Sequence, residues 1–211
     1  MQVNTVRIKI CGVRDPRIGE AAALAGADAI GMVFAPGRRQ VTPEQARAIC
    51  QAIPPLVARV GVFVDTPAAE VRQIAHYCGL DLVQLHGRES PDYCRELGLR
   101  CIKAVPARNR QTLEQASIYP VAALLVDTYL EGVAGGTGQP FNWRLLENLP
   151  LKAPLILAGG LNPANVGRAV ALVRPYGVDV SSGVEVNGQK DLQLIKAFIK
   201  RAREVSAYAA G

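Results

Sequence analysis

The chain has 211 residues, 49% of them hydrophobic and 20% charged, with a net charge of +6. That length supports one sizeable core, and the modest Gly 20 and Pro 14 exclude a disordered or collagen-like chain. The basic excess is compatible with an anionic substrate or simply with a solvated, slightly basic surface; without a long basic run it does not imply nucleic acid.

Short β-rich apolar runs alternate with longer helix-like segments. Val6 to Cys11 predicts a strand, closed by Gly12. Asp15 to Ala25 predicts a helix, with Asp15 as N-cap and Pro16 at the first helical position. Ala27 to Phe34 is the next strand, and Thr42-Pro43 opens a helix through about Ile53. Leu56 to Val64 is a strand, followed by a helix from Thr66-Pro67 to near Gly79. Asp81 to Leu85 is a strand, and Ser90-Pro91 starts another helix. Leu99 to Val105 is a strand, and a weaker helix follows from about Gln111 to Ser117. Val121 to Val126 is a strand, after which a Gly-rich loop runs to Gln139. Asn142 to Glu147 predicts a short helix, and Leu155 to Leu157 a strand. Asn162-Pro163 starts a helix to about Arg174, Val178 to Val180 is the last strand, and the final helix runs from about Asp191 to Tyr208.

Some eight strand-then-helix units with near-continuous apolar strands imply a parallel sheet. The expected fold is α/β, a compact (β/α)8 barrel forming one domain over residues 1–211; a doubly wound open sheet is the alternative. No linker or low-complexity stretch marks a second domain. Five cysteines, at positions 11, 50, 78, 94 and 101, include no C-x-x-C pair, which points to a reducing compartment. His76 and Cys78 have no second ligand pair at finger spacing, so no metal is expected. The opening residues lack the apolar stretch of a secretion signal, and no run reaches membrane-spanning length, so a cytoplasmic location is expected.

In a barrel the chemistry gathers at the carboxyl ends of the strands. Cys11 ends the first strand and Asp127 the sixth, and a thiol and a carboxyl in one mouth can move protons on a sugar-like substrate. A free cysteine is also a common buried apolar residue, whereas an acid after Ala-Leu-Leu-Val has little structural excuse. Gly159 and Gly160 after the seventh strand, with Ser182 and Gly183 after the eighth, leave room for backbone donors to reach a phosphate; ordinary tight turns are the other reading. Arg38 and Arg39 follow a turn in the second loop, where a guanidinium suits a carboxylate or simply faces solvent. Lys103 lies near the end of the fifth strand, and His86 is read as a structural hydrogen-bonding residue. The Gly135-Gly136-Thr137-Gly138 run lacks the nucleotide-binding patterns and reads as a lid or a plain long loop.

Taken in order, Lys9-Ile10-Cys11-Gly12, Gly31-Met32-Val33-Phe34, Arg39-Gln40-Val41-Thr42-Pro43, Val60-Gly61-Val62-Phe63-Val64, Val83-Gln84-Leu85-His86-Gly87, Leu125-Val126-Asp127, Gly135-Gly136-Thr137-Gly138, Leu157-Ala158-Gly159-Gly160-Leu161 and Ser181-Ser182-Gly183-Val184-Glu185 resemble the phosphoribosylanthranilate isomerases, over almost the whole chain. The resemblance implies an Amadori isomerase of tryptophan biosynthesis, a (β/α)8 barrel without metal or organic cofactor. It implies Cys11 as general base, Asp127 as general acid, Arg39 on the anthranilate carboxylate, and the Gly159-Gly160 and Ser182-Gly183 loops on the phosphate. The expected partner is a phosphorylated small-molecule substrate, with no nucleic acid and no membrane, in a monomer or homodimer. Gly37 stands in the second loop where the family often has Ser. Two alternatives remain at this point: the related barrel isomerase of histidine biosynthesis, which typically uses two aspartates, and a non-catalytic phospholigand-binding barrel.

Overall fold

The computed structural model describes residues 5–128 and 141–208. Eight strands close into a barrel in sequence order: β1 (Arg7–Cys11), β2 (Ala29–Val33), β3 (Ala58–Phe63), β4 (Leu82–Leu85), β5 (Cys101–Pro106), β6 (Ala123–Asp127), β7 (Leu155–Leu157) and β8 (Gly177–Val180). Every neighbouring pair is parallel, and β8 returns to β1 with Lys9 beside Asp179. That closure excludes the open doubly wound sheet.

Among the described residues, seven α-helices cover the strands: α1 (Pro16–Leu24), α2 (Pro43–Ala52), α3 (Ala68–Cys78), α4 (Pro91–Glu96), α5 (Arg110–Gln115), α6 (Val166–Val173) and α7 (Leu192–Tyr208). Their starts follow local chemistry. Asp15, Thr42, Ser90 and Asn109 each accept a first-turn backbone N–H, and Thr42 with Gln45 completes a capping box. α3 ends where Gly79 takes a left-handed conformation at φ 67°.

Three expected starts shift. Thr66 does not cap α3, because its hydroxyl donates to the Val64 carbonyl; Pro67 occupies the N-cap. The Asn162-Pro163 segment is a turn rather than helix. Asn162 accepts from the Ala164 and Asn165 amides, Asn165 accepts from the Asn162 amide, and α6 begins only at Val166. After β6 the expected short α-helix is a 3-10 turn, Trp143–Leu146, capped by Asn142. The Gly135–Gly138 run lies outside the described residues.

The barrel interior is filled by Val60, Ile102, Ala104, Ala123, Leu125, Ile156 and Ala158. A larger layer between strands and helices buries Ile8, Ile10, Ile30, Met32, Val178 and Phe198, among others. Alternation along β1 sends Ile8 and Ile10 to that outer layer and turns Lys9 and Cys11 inward. Among the described residues no helix is long and apolar enough to cross a membrane.

Candidate active site

At the carboxyl ends of the strands opens a cavity of about 440 Å³. Its walls include Cys11, Arg39, Asp127, Gly159, Gly160 and Ser182, six of the seven residues to which the resemblance gives a role, together with Arg38 and His86. Gly183 lies one residue on, in the 3-10 turn Ser182–Val184.

Cys11 is buried at the floor of this mouth. Gly31, its register partner on β2, makes room: a Cβ there would stand 2.9 Å from Cys11 Sγ and 3.1 Å from Lys9 Nζ. The buried Lys9 ammonium donates to Asp179 Oδ1 at 2.8 Å. Burial alone penalises that charge, but Asp179 and Cys11 outweigh it and hold the lysine above its ordinary pKa. Burial pushes the Cys11 thiol up, the Lys9 cation opposes the rise, and Asp179 adds to it.

Asp127 ends β6. Its Oδ1 accepts the Thr128 amide at 2.7 Å, and its Oδ2 lies 3.5 Å from His86 Nε2. His86 Nδ1 contacts Gln84 Nε2 at 2.9 Å, while Gln84 Oε1 is buried without a hydrogen-bond partner. His86 thus stands beside the candidate acid and contacts Gln84, in keeping with a hydrogen-bonding role. Its loop is held from below. Lys103 Nζ donates to the Gly87 carbonyl at 2.7 Å and to Glu89 Oε2 at 2.8 Å, while Glu89 accepts the amides of Asp65 and Gly87. Lys103 is therefore a buried strut rather than a group in the mouth.

Arg39 stands at the rim with its guanidinium engaged by Glu185: Nε donates to Oε1 at 2.7 Å and Nη2 to Oε2 at 2.9 Å. Lys190 Nζ also donates to Glu185 Oε1 at 2.7 Å, and Arg38 Nη2 reaches Oε2 at 3.0 Å. Burial works against the Glu185 charge, yet hydrogen bonds from Arg39 and Lys190 prevail and hold its carboxyl at about 2. A depressed acid stabilises the fold above its unfolded pKa, so this contribution is lost as the pH falls from about 4.5 toward 2.

The two glycine loops are packed against their neighbours. A Cβ on Gly159, at φ 82°, would strike Thr128, and one on Gly183 would strike the Leu161 carbonyl oxygen. Gly160 also takes a positive φ, 64°. Ser182 and Gly183 open the 3-10 turn Ser182–Val184, whose first amides have no partner within the turn. The tight-turn reading describes these glycines as they stand in the fold. Gly183→Ala is expected to lower stability by about 1–3 kcal/mol through backbone overlap, seen as a drop in thermal midpoint; an unchanged midpoint would show that the loop yields.

Sequence reading missed Lys9, Glu185 and Lys190 as parts of the site. Single charges inside apolar strands, as at Ile8-Lys9-Ile10 and Val178-Asp179-Val180, were the available signal. Among the described residues no group of three His, Cys, Asp or Glu side chains is placed to hold a metal ion.

Fold and mouth together define a (β/α)8-barrel enzyme whose polar side chains converge at the carboxyl end of its strands. The family described as N-(5'-phosphoribosyl)anthranilate (PRA) isomerase matches residues 8–201. The chain belongs to that family. An N-(5'-phosphoribosyl)anthranilate isomerase from Desulforamulus reducens is 74% identical over 98% of this chain and 99% of its own length. A crystal structure of phosphoribosyl anthranilate isomerase in complex with reduced 1-(o-carboxyphenylamino)-1-deoxyribulose 5-phosphate superposes with a TM-score of 0.83 at 42% identity, covering 94% of this chain and 99% of that one. Monomers generated from the dimeric phosphoribosylanthranilate isomerase of Thermotoga maritima match at 40% identity with a TM-score of 0.83, over 94% of this chain and 99% of that one.

Proposed function

We propose that Cys11 and Asp127 carry out, as base and acid, the Amadori rearrangement of N-(5'-phosphoribosyl)anthranilate to 1-(2-carboxyphenylamino)-1-deoxyribulose 5-phosphate. The reaction is a step of tryptophan biosynthesis, and family membership supplies the activity. The residue roles rest on one observation: a thiol beside an ammonium and a carboxyl beside an imidazole line the same cavity.

Protonated Asp127 donates to the furanose ring oxygen, the bond from that oxygen to C1′ breaks, and a protonated Schiff base forms. That cation acidifies the C2′ proton, which the Cys11 thiolate removes. The resulting enolamine tautomerises to the aminoketose. Substrate and product are isomers: the ring C–O bond opens, C2′ loses a hydrogen and C1′ gains one, so the redox change is internal and proton transfers by the chain's own acid and base carry it.

Arg39 binds the anthranilate carboxylate, and amides of the Gly159-Gly160 and Ser182-Gly183 loops bind the phosphate, as in phosphate sites after the seventh and eighth strands of other barrels. The proposed partner is thus this phosphorylated small molecule. A single domain, a monomer or homodimer, and a cytoplasmic setting complete the reading; five free, buried cysteines favour a reducing compartment.

Loss of phosphoribosylanthranilate fluorescence on adding the protein tests the activity, and an unchanged signal would refute it. For Arg39→Ala, affinity for carboxylate-bearing ligands is expected to fall by about 2–5 kcal/mol, the cost of removing one partner of a buried charge pair. Arg38→Ala should be milder, since that side chain is 58% exposed. Calorimetric titration with a reduced product analogue measures both, and equal affinity after Arg39→Ala would move the carboxylate elsewhere.

A further inference from the structure

We propose that Glu185 is a positioning residue for substrate recognition: it grips one edge of the Arg39 guanidinium and so turns the other edge toward the substrate carboxylate. The inference rests on the reading that Arg39 holds that carboxylate. A guanidinium carries five N–H donors in a planar frame, with two edges that each match a carboxylate. Glu185 occupies the edge made by Nε and Nη2, at 2.7 and 2.9 Å. The remaining edge, Nη1 with the second Nη2 hydrogen, is left for a ligand, and Arg39 lines the cavity. Of the two side chains, Glu185 is 5% exposed and Arg39 17%, so the anchor is the more buried, and Arg39, not Glu185, lines the cavity.

The anchor is itself held. Glu185 begins the short strand β9 (Glu185–Val186), which pairs antiparallel with β10 (Gln189–Lys190) in register Glu185 to Lys190. Lys190, also 5% exposed, donates to Glu185 Oε1 at 2.7 Å and to the Ser181 carbonyl at 2.9 Å. Ser181 Oγ in turn donates to the Cys11 carbonyl at 3.2 Å. One hairpin therefore ties the arginine to the loop that opens the Ser182–Val184 turn and to the strand end bearing the thiol. With Arg38, Arg39 and Lys190 around one carboxylate, the cluster keeps a positive surplus for an anion.

Electrostatics alone and positioning predict opposite signs. If Glu185 only neutralised Arg39, removing its charge would tighten anion binding. If it positions Arg39, removal lets the guanidinium swing away and affinity falls. Glu185→Gln keeps the size but sets an amide N–H against the donors of Arg39 and Lys190. Dissociation constants are measured for a reduced product analogue and for the same analogue lacking the carboxylate. The expected result is a loss of about tenfold or more for the first, a change within twofold for the second, and a rise in KM exceeding any change in kcat. Unchanged or tighter binding of the carboxylate analogue overturns the proposal, as does an equal loss for both analogues. The wild-type protein gives a reading independent of variant folding. In nitrogen-15 NMR, the Arg39 Nε–H signal is expected to stay protected from exchange when the analogue binds; its exposure on binding would show that Arg39 leaves Glu185. Arg39→Ala separates the two levels. If it spares carboxylate selectivity, the underlying assignment fails; if it removes selectivity while Glu185→Gln does not, only the positioning role fails.

Discussion

Replacing Cys11 by alanine lowers turnover by about a hundredfold or more, the scale of a lost general base, while the reduced product analogue binds within a few fold of the parent. The thiol contributes little binding area, so the loss concentrates in kcat. The pH profile carries the same assignment. A free thiol titrates near 8.5. Burial moves Cys11 above its ordinary value, and the Lys9 cation limits the rise. Only the thiolate accepts the proton and only protonated Asp127 donates one, so kcat/KM of the parent should be bell-shaped in pH, with one limb belonging to the thiol. Lys9→Met removes the opposing cation and should move that limb to higher pH. Stopped assays across about pH 6–10 read the effect. Near-native turnover for Cys11→Ala, or no move of the limb in Lys9→Met, would remove Cys11 from the base role.

Asp127→Asn is the second large effect. Asparagine keeps an oxygen for the Thr128 amide, which donates at 2.7 Å, so the variant should fold normally and bind the product analogue within several fold. It has no acidic proton to give to the ring oxygen, and turnover should fall by about a hundredfold or more. The defect lies at ring opening, so a substrate supplied in the open-chain imine form should be partly rescued. Joint loss of stability, analogue binding and activity would instead make Asp127 structural. The other acids near the mouth are already committed: Asp179 pairs with Lys9, and Asp65 accepts the Arg88 amide.

The helix starts were legible because capping is local. Asp15, Thr42 and Ser90 each sit one residue before a proline, and each accepts a first-turn amide as expected. Asn162-Pro163 carried the same signal and misled. There Asn162 and Asn165 exchange side-chain hydrogen bonds with each other's backbone, closing a turn before α6 can begin. His86 was read as a hydrogen-bonding residue, and its contact with Gln84 agrees; its neighbour across the barrel was not legible. Its role depends on what ends β6, and nothing near Gln84 in the chain says that Asp127 stands beside it.

What the sequence by itself determined is the repeat of eight apolar strands with their covering segments, and the placing of Cys11, Asp127 and the glycine loops at strand ends. Those features follow from periodicity, caps and turn residues, all set within a few neighbours along the chain. What only the tertiary structure decided is which charges meet. Closing β8 onto β1 brings Asp179 to Lys9 across 170 residues, and the hairpin after β8 brings Glu185 to Arg39 across 146. A buried charge demands a partner, but the demand does not say which one. The barrel supplies that answer through register, and so decides how the thiol is tuned and which edge of the arginine faces the mouth.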